Sequence, residues 1–245
     1  MNDPLVIAHR GYSARYTENT QLAYLGAIDI GADIVESDAR LSSDGFVFAC
    51  HDGTLSRIAG DARGVADMTA AELQDVRLTT GERLSPLPRT LTDIAPLRPV
   101  LIDVKTPDLP LIEAIARDIR NCDALDKVWI GVRDLAQMQL AHALLPAVRL
   151  LAFLPDYTRA EEFARAGAQA FRVWEGHLDQ QAALRVVREK PTWITLGGKG
   201  TSFEVGDTTP DRLARVLALR PRGVLLNDPA LMTGPAAPAR STEAT

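Results

Sequence analysis

The sequence is poor in the residues that mark several classes of protein. Its 245 residues include two cysteines and four histidines, and only 5% are aromatic. Cys50 and Cys122 lie far apart, without the spacing of a metal or redox motif, so we expect reduced thiols rather than a disulfide. Lys and Arg number 27 against 32 Asp and Glu, giving a net charge of −5. This balance argues against nucleic acid as a partner, because a polyanion normally meets a basic surface.

The chain also lacks the long apolar segments of membrane and secreted proteins. No stretch approaches the roughly 18 apolar residues that predict a membrane-spanning helix. The first four residues, Met1–Pro4, lead into an apolar strand without the basic and apolar regions of a signal peptide. We therefore predict a cytoplasmic protein with no integral membrane segment.

Short apolar runs alternate with amphipathic segments along nearly the whole chain. Eight runs rich in Val, Ile, Leu and Ala are typical of parallel strands buried on both faces, and they are Leu5–His9, Asp33–Asp38, Val100–Lys105, Val128–Val132, Arg149–Phe153, Ala168–Val173, Thr192–Leu196 and Gly223–Leu226. The predicted helices between them are Thr20–Ile30, Leu109–Arg120, Leu135–Leu144, Arg159–Ala166, Gln180–Arg188 and Asp211–Leu219. Eight strands with helical crossovers at this length favour a closed (β/α)8 TIM barrel, an α/β fold, over an open doubly wound sheet.

One long excursion interrupts the barrel pattern after the second strand, over about residues 46–92. It contains a predicted short strand, a small helix and a turn-rich segment, at Phe46–Ala49, Met68–Leu73 and Thr80–Pro88. A loop of this length is more often functional than a separate domain. We therefore predict a single domain over residues 1–232 and a flexible C-terminal tail over residues 233–245.

Ionisable side chains interrupt the first three strands near their carboxyl ends. Residues i and i+2 of a strand share a face, so Glu36 and Asp38 point the same way, and so do Asp103 and Lys105. In a parallel barrel these strand ends form one rim, where such enzymes carry their chemistry. The rim is therefore predicted to bring together His9, Arg10, Glu36, Asp38, Asp103 and Lys105.

Each group taken alone also has a structural interpretation. The Glu-x-Asp pair resembles a solvated strand end, Asp103 and Lys105 can form a simple ion pair, and His9 by itself would be a hydrogen-bonded core histidine. Six ionisable groups on neighbouring strand ends, however, are costly to bury for stability alone. A divalent cation with an anionic ligand accounts for both signs of charge. Oxygen ligands favour Mg²⁺ or Ca²⁺ over zinc, and Arg10 with Lys105 suits a phosphoryl group.

The excursion adds a second histidine close to the predicted rim, in Cys50-His51-Asp52-Gly53. Two imidazoles beside a phosphorus atom can act as general base and general acid. The alternative is that His51 is a turn residue ahead of Asp52-Gly53.

The ordered motifs resemble those of the glycerophosphodiester phosphodiesterase family. The resemblance runs through His9-Arg10-Gly11, Glu18-Asn19-Thr20, Gly31–Asp38, Asp44-Gly45, His51-Asp52 with Leu55 and Arg57, Met68–Leu73, Leu87–Leu91, Asp103-Val104-Lys105 and Gly223–Pro229. It spans nearly the whole chain. Within it, Asn19 or Thr20 is expected to cap the first helix.

The resemblance implies a role for each set of rim residues. They are the metal ligands Glu36, Asp38 and Asp103, the acid–base pair His9 and His51, and the phosphate-binding residues Arg10 and Lys105. It implies a metal-dependent enzyme, with Mg²⁺ or Ca²⁺, that takes a small glycerophosphodiester as substrate. In the mechanism that the resemblance implies, the glycerol 2-hydroxyl attacks phosphorus and expels the alcohol, and water then opens the cyclic phosphate to glycerol 3-phosphate.

The chain departs from the family pattern at two places. Asp103 stands where the family usually has Glu, so its carboxylate is shorter by one methylene, and a bridging water or a shifted metal would close the gap. Trp193–Gly198 and the glycine-rich Lys199–Phe203 differ from the usual seventh strand and its loop. Further residues predicted to support the site or contact substrate are Glu18, Arg172 and Trp193. The alternatives are a lysophospholipase D or phospholipase-type phosphodiesterase, a non-catalytic phosphodiester-binding barrel and an unrelated metal-dependent lyase or aldolase.

Overall fold

The first strand pairs with both the second and the last, and this closes the sheet into a barrel. The computed structural model describes residues 3–234. Its strands are β1 (Leu5–Ala8), β2 (Ile34–Leu41), β3 (Val47–Phe48), β4 (Thr54–Leu55), β5 (Asp61–Gly64), β6 (Val100–Val104), β7 (Val128–Val132), β8 (Arg149–Phe153), β9 (Ala170–Trp174), β10 (Thr192–Thr195) and β11 (Gly223–Leu226). The parallel strands β1, β2 and β6–β11 form the ring, with β1 between β2 and β11. The predicted TIM barrel is confirmed.

Most of the helices pack around the ring between consecutive barrel strands, while others belong to the excursion or follow the last strand. The helices are α1 (Gln21–Asp29), α2 (Ser56–Ala59), α3 (Ala70–Asp75), α4 (Leu87–Asp93), α5 (Leu109–Asn121), α6 (Leu135–Leu144), α7 (Ala160–Arg165), α8 (Gln181–Glu189), α9 (Pro210–Leu217) and α10 (Ala230–Thr233). Predicted and observed bounds agree to within two residues for the six helices expected from the sequence. None of the helices within residues 3–234 combines the length and apolar character that crossing a bilayer requires.

Alternate side chains on each barrel strand pack into two different hydrophobic cores. One set points into the barrel and forms a small apolar layer of Ile7, Ile34, Leu101, Leu151, Phe153, Ala170, Trp193 and Leu225. The other set, which includes Val6, Val35 and Ile102, packs under the helices in the large outer core. Because both faces of the strands are buried, their sequences are continuously apolar, and polarity begins only where the interior opens at the strand ends.

The excursion between β2 and β6 has a small core of its own. The core is formed by Phe48, Cys50, Leu55, Val65, Met68, Ala70, Leu73, Val76, Leu78 and Leu84. Strand β3 pairs antiparallel with the end of β2, so this segment sits directly on the carboxyl-end rim. Its hairpin β4–β5 and helices α2 and α4 were not predicted. Helix α4 begins within the segment predicted to be turn-rich. Its Pro88 does not prevent this, because it lies in the first turn of the helix, where proline is well tolerated.

Cys50 and Cys122 are free thiols, as expected. Thr233, the first residue of the predicted tail, ends α10, and residues 235–245 lie outside the described part of the chain. The cytoplasmic location stays a prediction.

Candidate active site

The predicted rim residues continue the inward-facing rows of the barrel strands. On β2, Ile34 is followed on the same face by Glu36 and Asp38, and on β6 Leu101 is followed by Asp103. Strand register places Asp38 opposite Asp103. The apolar layer therefore forms the floor of the site, and the next residues of the same rows carry its charge.

Glu36, Asp38 and Asp103 form a compact carboxylate cluster. Each offers an oxygen atom within 4.8 Å of the others, and all three residues are buried. Burial, followed by the charge of Asp38, raises the pKa of Glu36 well above its usual range. Burial also opposes ionisation of Asp38, but Lys105 and Arg10 outweigh it and hold the Asp38 pKa well below its usual range.

Glu36 is the carboxylate with an uncommitted oxygen. Its Oε2 accepts the backbone N–H of Arg10 at 2.7 Å, while its buried Oε1 has no hydrogen-bond partner among the described residues. Arg10 has a left-handed backbone, with φ of 56°, a conformation that costs a non-glycine residue about 1–3 kcal/mol. An orphaned carboxylate oxygen within an all-oxygen cluster fits a hard divalent cation such as Mg²⁺ or Ca²⁺.

Two cations predicted to bind phosphate lie against this cluster. Lys105 Nζ is 2.6 Å from Asp38 Oδ1 and 2.6 Å from Asp103 Oδ2, and Arg10 Nε is 3.3 Å from Asp38 Oδ2. Burial alone would lower the pKa of Lys105, but Asp103 and Asp38 raise it. Both cations are therefore charged and held at the carboxyl ends of the strands.

Arg133, which was not predicted as a site residue, binds Asp103 through both of its Nη atoms. Its Nη1 and Nη2 donate to Oδ1 and Oδ2 of Asp103 at 2.5 and 2.9 Å, and Nη1 also donates to the Val104 carbonyl. Although burial opposes it, the charges of Lys105 and Arg133 lower the pKa of Asp103 to about 2. Both oxygens of this shorter carboxylate are thus engaged by protein cations, unlike those of Glu36.

His9 is fixed by a residue of the last strand end, Asn227. His9 Nδ1 lies 2.7 Å from Asn227 Oδ1, while Asn227 Nδ2 donates to Val205 O and Asp207 Oδ1. The Asn227 oxygen must therefore accept, so His9 carries its proton on Nδ1 and Nε2 is left as a lone-pair acceptor. Burial, then the charge of Arg10, lowers the pKa of His9 to about 3, which keeps the imidazole neutral.

The close approach of a loop to this pair requires glycine. Gly206 has φ of 88°, and a Cβ there would overlap the Asn227 side chain and approach His9 Nδ1. The Gly206 N–H donates to the Leu196 carbonyl, and the Gly206 carbonyl accepts from the Asn227 N–H. The loop after β10 thereby holds Asn227, and through it His9.

His51 stands on the excursion and faces the same cavity. Its Nδ1 is 2.7 Å from Asp52 Oδ1, and Arg40 donates twice to its carbonyl, at 2.9 and 2.7 Å. The carboxylate fixes Nδ1 as the donor and leaves Nε2 for chemistry. The turn interpretation of His51 is also true locally, since the residue lies in the bend after β3.

A chain of ion pairs joins this histidine to the barrel. Arg57 Nε donates to Asp52 Oδ2 at 2.6 Å, and Arg57 Nη1 and Nη2 donate to Glu18 at 2.8 and 2.7 Å. Glu18 in turn accepts from Arg10 Nη1 at 3.0 Å. The predicted supporting role of Glu18 therefore takes the form of a bridge between Arg10 and Arg57.

The Glu18-Asn19-Thr20 motif has three separate structural roles. Thr20 caps α1, as expected for one of this pair of residues. Asn19 instead donates to Asp38 Oδ2 at 2.7 Å and accepts the Asp38 backbone N–H. The motif thus begins the first helix and also fixes Asp38, one of the three clustered carboxylates. The helix-cap interpretation alone did not predict the contact with Asp38.

These groups line a cavity of about 150 Å³ at the mouth of the barrel. Its walls are His9, Arg10, Glu36, His51, Asp103, Lys105, Arg133, Phe153, Arg172, Trp174, Thr195, Val205 and Leu225. Arg172, predicted to support the site or contact substrate, is among these lining residues. Trp193 lies deeper in the barrel, 4.9 Å from the Trp129 ring, and is not among the lining residues; its inward position on β10 falls one layer below the rim.

Comparison with known proteins gives consistent matches. The model of the glycerophosphoryl diester phosphodiesterase family matches residues 9–169. A protein named probable glycerophosphodiester phosphodiesterase 1, from Mycobacterium tuberculosis, is 45% identical over 73 residues, which are 30% of this chain and 27% of that protein. The match to Arabidopsis thaliana glycerophosphodiester phosphodiesterase GDPD4 is 28% identical and covers 94% of this chain and 73% of that one.

The solved structures show the same fold. A phosphodiesterase from Oleispira antarctica, in complex with the product sn-glycerol-3-phosphate, superposes with a TM-score of 0.79 at 20% identity. The superposition covers 92% of this chain and 94% of that one.

Proposed function

Because the chain belongs to the glycerophosphoryl diester phosphodiesterase family, we propose that it hydrolyses glycerophosphodiesters to an alcohol and glycerol 3-phosphate with a divalent metal. One observation carries this proposal. Two histidines with committed Nδ1 and available Nε2 atoms line the same small cavity as the orphaned Glu36 oxygen. The side chains proposed as acid, base and metal ligand therefore face one cavity.

The two histidines have different partners, and the difference suggests their roles. Neutral His9 would accept the proton of the glycerol 2-hydroxyl at Nε2 as its oxygen attacks phosphorus. As the phosphorus–oxygen bond to the alcohol breaks, His51 would donate a proton from Nε2 to the leaving oxygen. A five-membered cyclic phosphate results. Water then opens it, His51 taking the proton of water and His9 returning its proton to the 2-oxygen.

The cations of the site would stabilise charge on the reacting phosphate. Arg10 and Lys105 lie beside the carboxylates, so each could exchange part of its carboxylate contact for a phosphoryl oxygen as negative charge grows there. Glu36, Asp38 and Asp103 would hold Mg²⁺ or Ca²⁺, which supplies polarisation of a phosphoryl oxygen and orientation of the hydroxyl. Support for the substrate class comes from the product that the structural neighbour holds.

The test is release of glycerol 3-phosphate from glycerophosphocholine and glycerophosphoethanolamine, with EDTA, with Mg²⁺ and with Ca²⁺. We expect turnover that EDTA abolishes and one of the two metals restores. Lysophosphatidylcholine serves as a parallel arm for lysophospholipase D activity. A folded sample with no turnover of any substrate under any metal condition would refute the proposal and favour a binding protein.

A further inference from the structure

Arg172 is a buried cation that has no role in the proposed reaction. The residue is 5% exposed, and its Nε and Nη1 have no hydrogen-bond partner among the described residues. Its guanidinium lies 4.0 Å from the Trp174 ring centroid and 4.9 Å from that of Phe153. Aromatic rings attract the charge but do not accept in-plane N–H groups as an oxygen does.

Asp103, the carboxylate whose charge acts on Arg172, is already paired with other cations. Asp103 is bound through both oxygens by Arg133 and through one by Lys105. Arg133 also lies against the Phe153 ring, 4.5 Å from its centroid. Burial lowers the pKa of Arg172 to about 9, so it remains a cation at neutral pH. Its positive charge therefore faces a second one, with no free carboxylate beside it.

Arg172 lies at the junction of the reaction cavity with a larger one. The outer cavity measures about 520 Å³ and shares Arg133, Phe153, Arg172 and Trp174 with the inner cavity of about 150 Å³. Lys199 also lines the outer cavity. The one carboxylate of its lining, Asp156, accepts from the N–H and hydroxyl of Thr158.

The unusual glycine-rich loop contributes its first residue, Lys199, to the lining of this outer cavity. A Cβ on Gly200, whose φ is 80°, would overlap the backbone of Gly176, so the loop packs directly on the turn after β9. This contact holds Lys199 in the lining that it shares with Arg172.

We propose that Arg172, with Arg133 and Lys199, forms a subsite for an anionic group on the leaving alcohol, a carboxylate or a second phosphate. The inference rests on the proposed function and adds a substrate class to it. The inner cavity is the smaller of the two and is lined by His9 and His51, so we place the alcohol half of a bound diester in the outer one. An anionic oxygen there would satisfy the unpartnered N–H groups of Arg172, which the planar guanidinium matches well.

The experiment compares kcat/KM within two pairs of substrates, each differing by one anionic group. One pair is glycerophosphoserine and glycerophosphoethanolamine, and the other is glycerophosphoinositol 4-phosphate and glycerophosphoinositol. We expect at least one pair to show a preference of about tenfold or more for the anionic member, as a charge-assisted hydrogen bond gives. The pair that shows it tells a carboxylate from a phosphate.

Three variants locate the source of the preference. Arg172→Met should bring it close to unity, and Lys199→Met should lower it about threefold, less because this exposed lysine is screened by salt. Arg188→Met, on the exposed face of α8 outside both cavities, should leave it unchanged. If Arg172→Met fails to fold, the wild-type ratios and Lys199→Met still decide.

Two results would overturn the subsite while leaving the proposed function intact. One is turnover without a preference in either pair. The other is an equal loss for both members of a pair in Arg172→Met, which would assign Arg172 to the reacting phosphate or to the fold. No turnover of all four diesters, with either metal, would overturn the proposed function and the subsite together.

Discussion

Replacing Asp103 by Asn should destabilise the metal-free protein by about 2–3 kcal/mol. Removing one partner of a buried ion pair typically costs ~3–5 kcal/mol. The cost is smaller here because the Arg133 side chain is 40% exposed and Lys105 keeps Asp38 at 2.6 Å. The fall in the Asp103 pKa from 3.8 to about 2 corresponds to a similar ~2–3 kcal/mol at neutral pH.

The assay is urea unfolding followed by circular dichroism in EDTA, with the slope against urea checked for constancy. At about 2–4 °C per kcal/mol for a chain of this size, the melting temperature should fall by roughly 4–12 °C. In a double-mutant cycle, Arg133→Met should show a coupling of about 1–2 kcal/mol with Asp103→Asn.

Asp118 provides a matched control for the same chemical change. It is also buried, but its single ion contact is with Arg117, a side chain that is 44% exposed, and its Oδ2 has no partner among the described residues. Burial raises the pKa of Asp118, so Asp118→Asn should change stability by no more than about 0.5 kcal/mol. Equal effects of the two substitutions would refute the view that the cations around Asp103 stabilise the fold.

Four further predictions concern activity and binding. His9→Ala and His51→Ala should each lower kcat by ~10²–10⁴-fold with an unchanged circular dichroism spectrum. The control variant His142→Ala, at an exposed histidine, should keep full activity. Normal turnover in either site variant would remove that histidine from the mechanism. Glu36→Gln should abolish metal-restored activity, and calorimetry should detect no Mg²⁺ or Ca²⁺ binding near the wild-type affinity. Arg57→Met should lower kcat about tenfold by releasing the residues that orient the second histidine, and an unchanged kcat would show that this bridge is only structural. Glycerol 3-phosphate should tighten metal binding at least about fivefold. Equal metal affinity with and without it would show that metal and phosphate binding are not coupled.

The fold was predictable because its signal is repeated. Eight apolar runs separated by amphipathic helices specify a parallel sheet buried on both faces, and the ring observed here has those runs as its strands. The excursion was less predictable because its elements are short. Strand β4 has two residues and α2 has four, so their periodicity cannot be recognised, and they are held by the local core around Leu55 and Leu73.

The site was predictable where a residue sits on a strand end and less so where it acts from a distance. Glu36, Asp38 and Asp103 were placed together because the i and i+2 rule and the barrel rim fix their positions. Asn227 and Arg133 were missed as site residues. Their partners His9 and Asp103 lie 218 and 30 residues away in sequence, and a lone Asn or Arg after a strand carries no spacing that indicates a contact.

The charges of the site explain why metal and phosphate should bind together. Asp38 and Asp103 are neutralised by Arg10, Lys105 and Arg133, so a divalent cation at the cluster would compete with these side chains for two of the three carboxylates. A phosphate near the cations would draw Arg10 and Lys105 partly away from Asp38 and Asp103, which would free carboxylate oxygen for the metal. The metal in turn would free the cations for the phosphate. Because linkage is reciprocal, each ligand would then strengthen the binding of the other by the same factor.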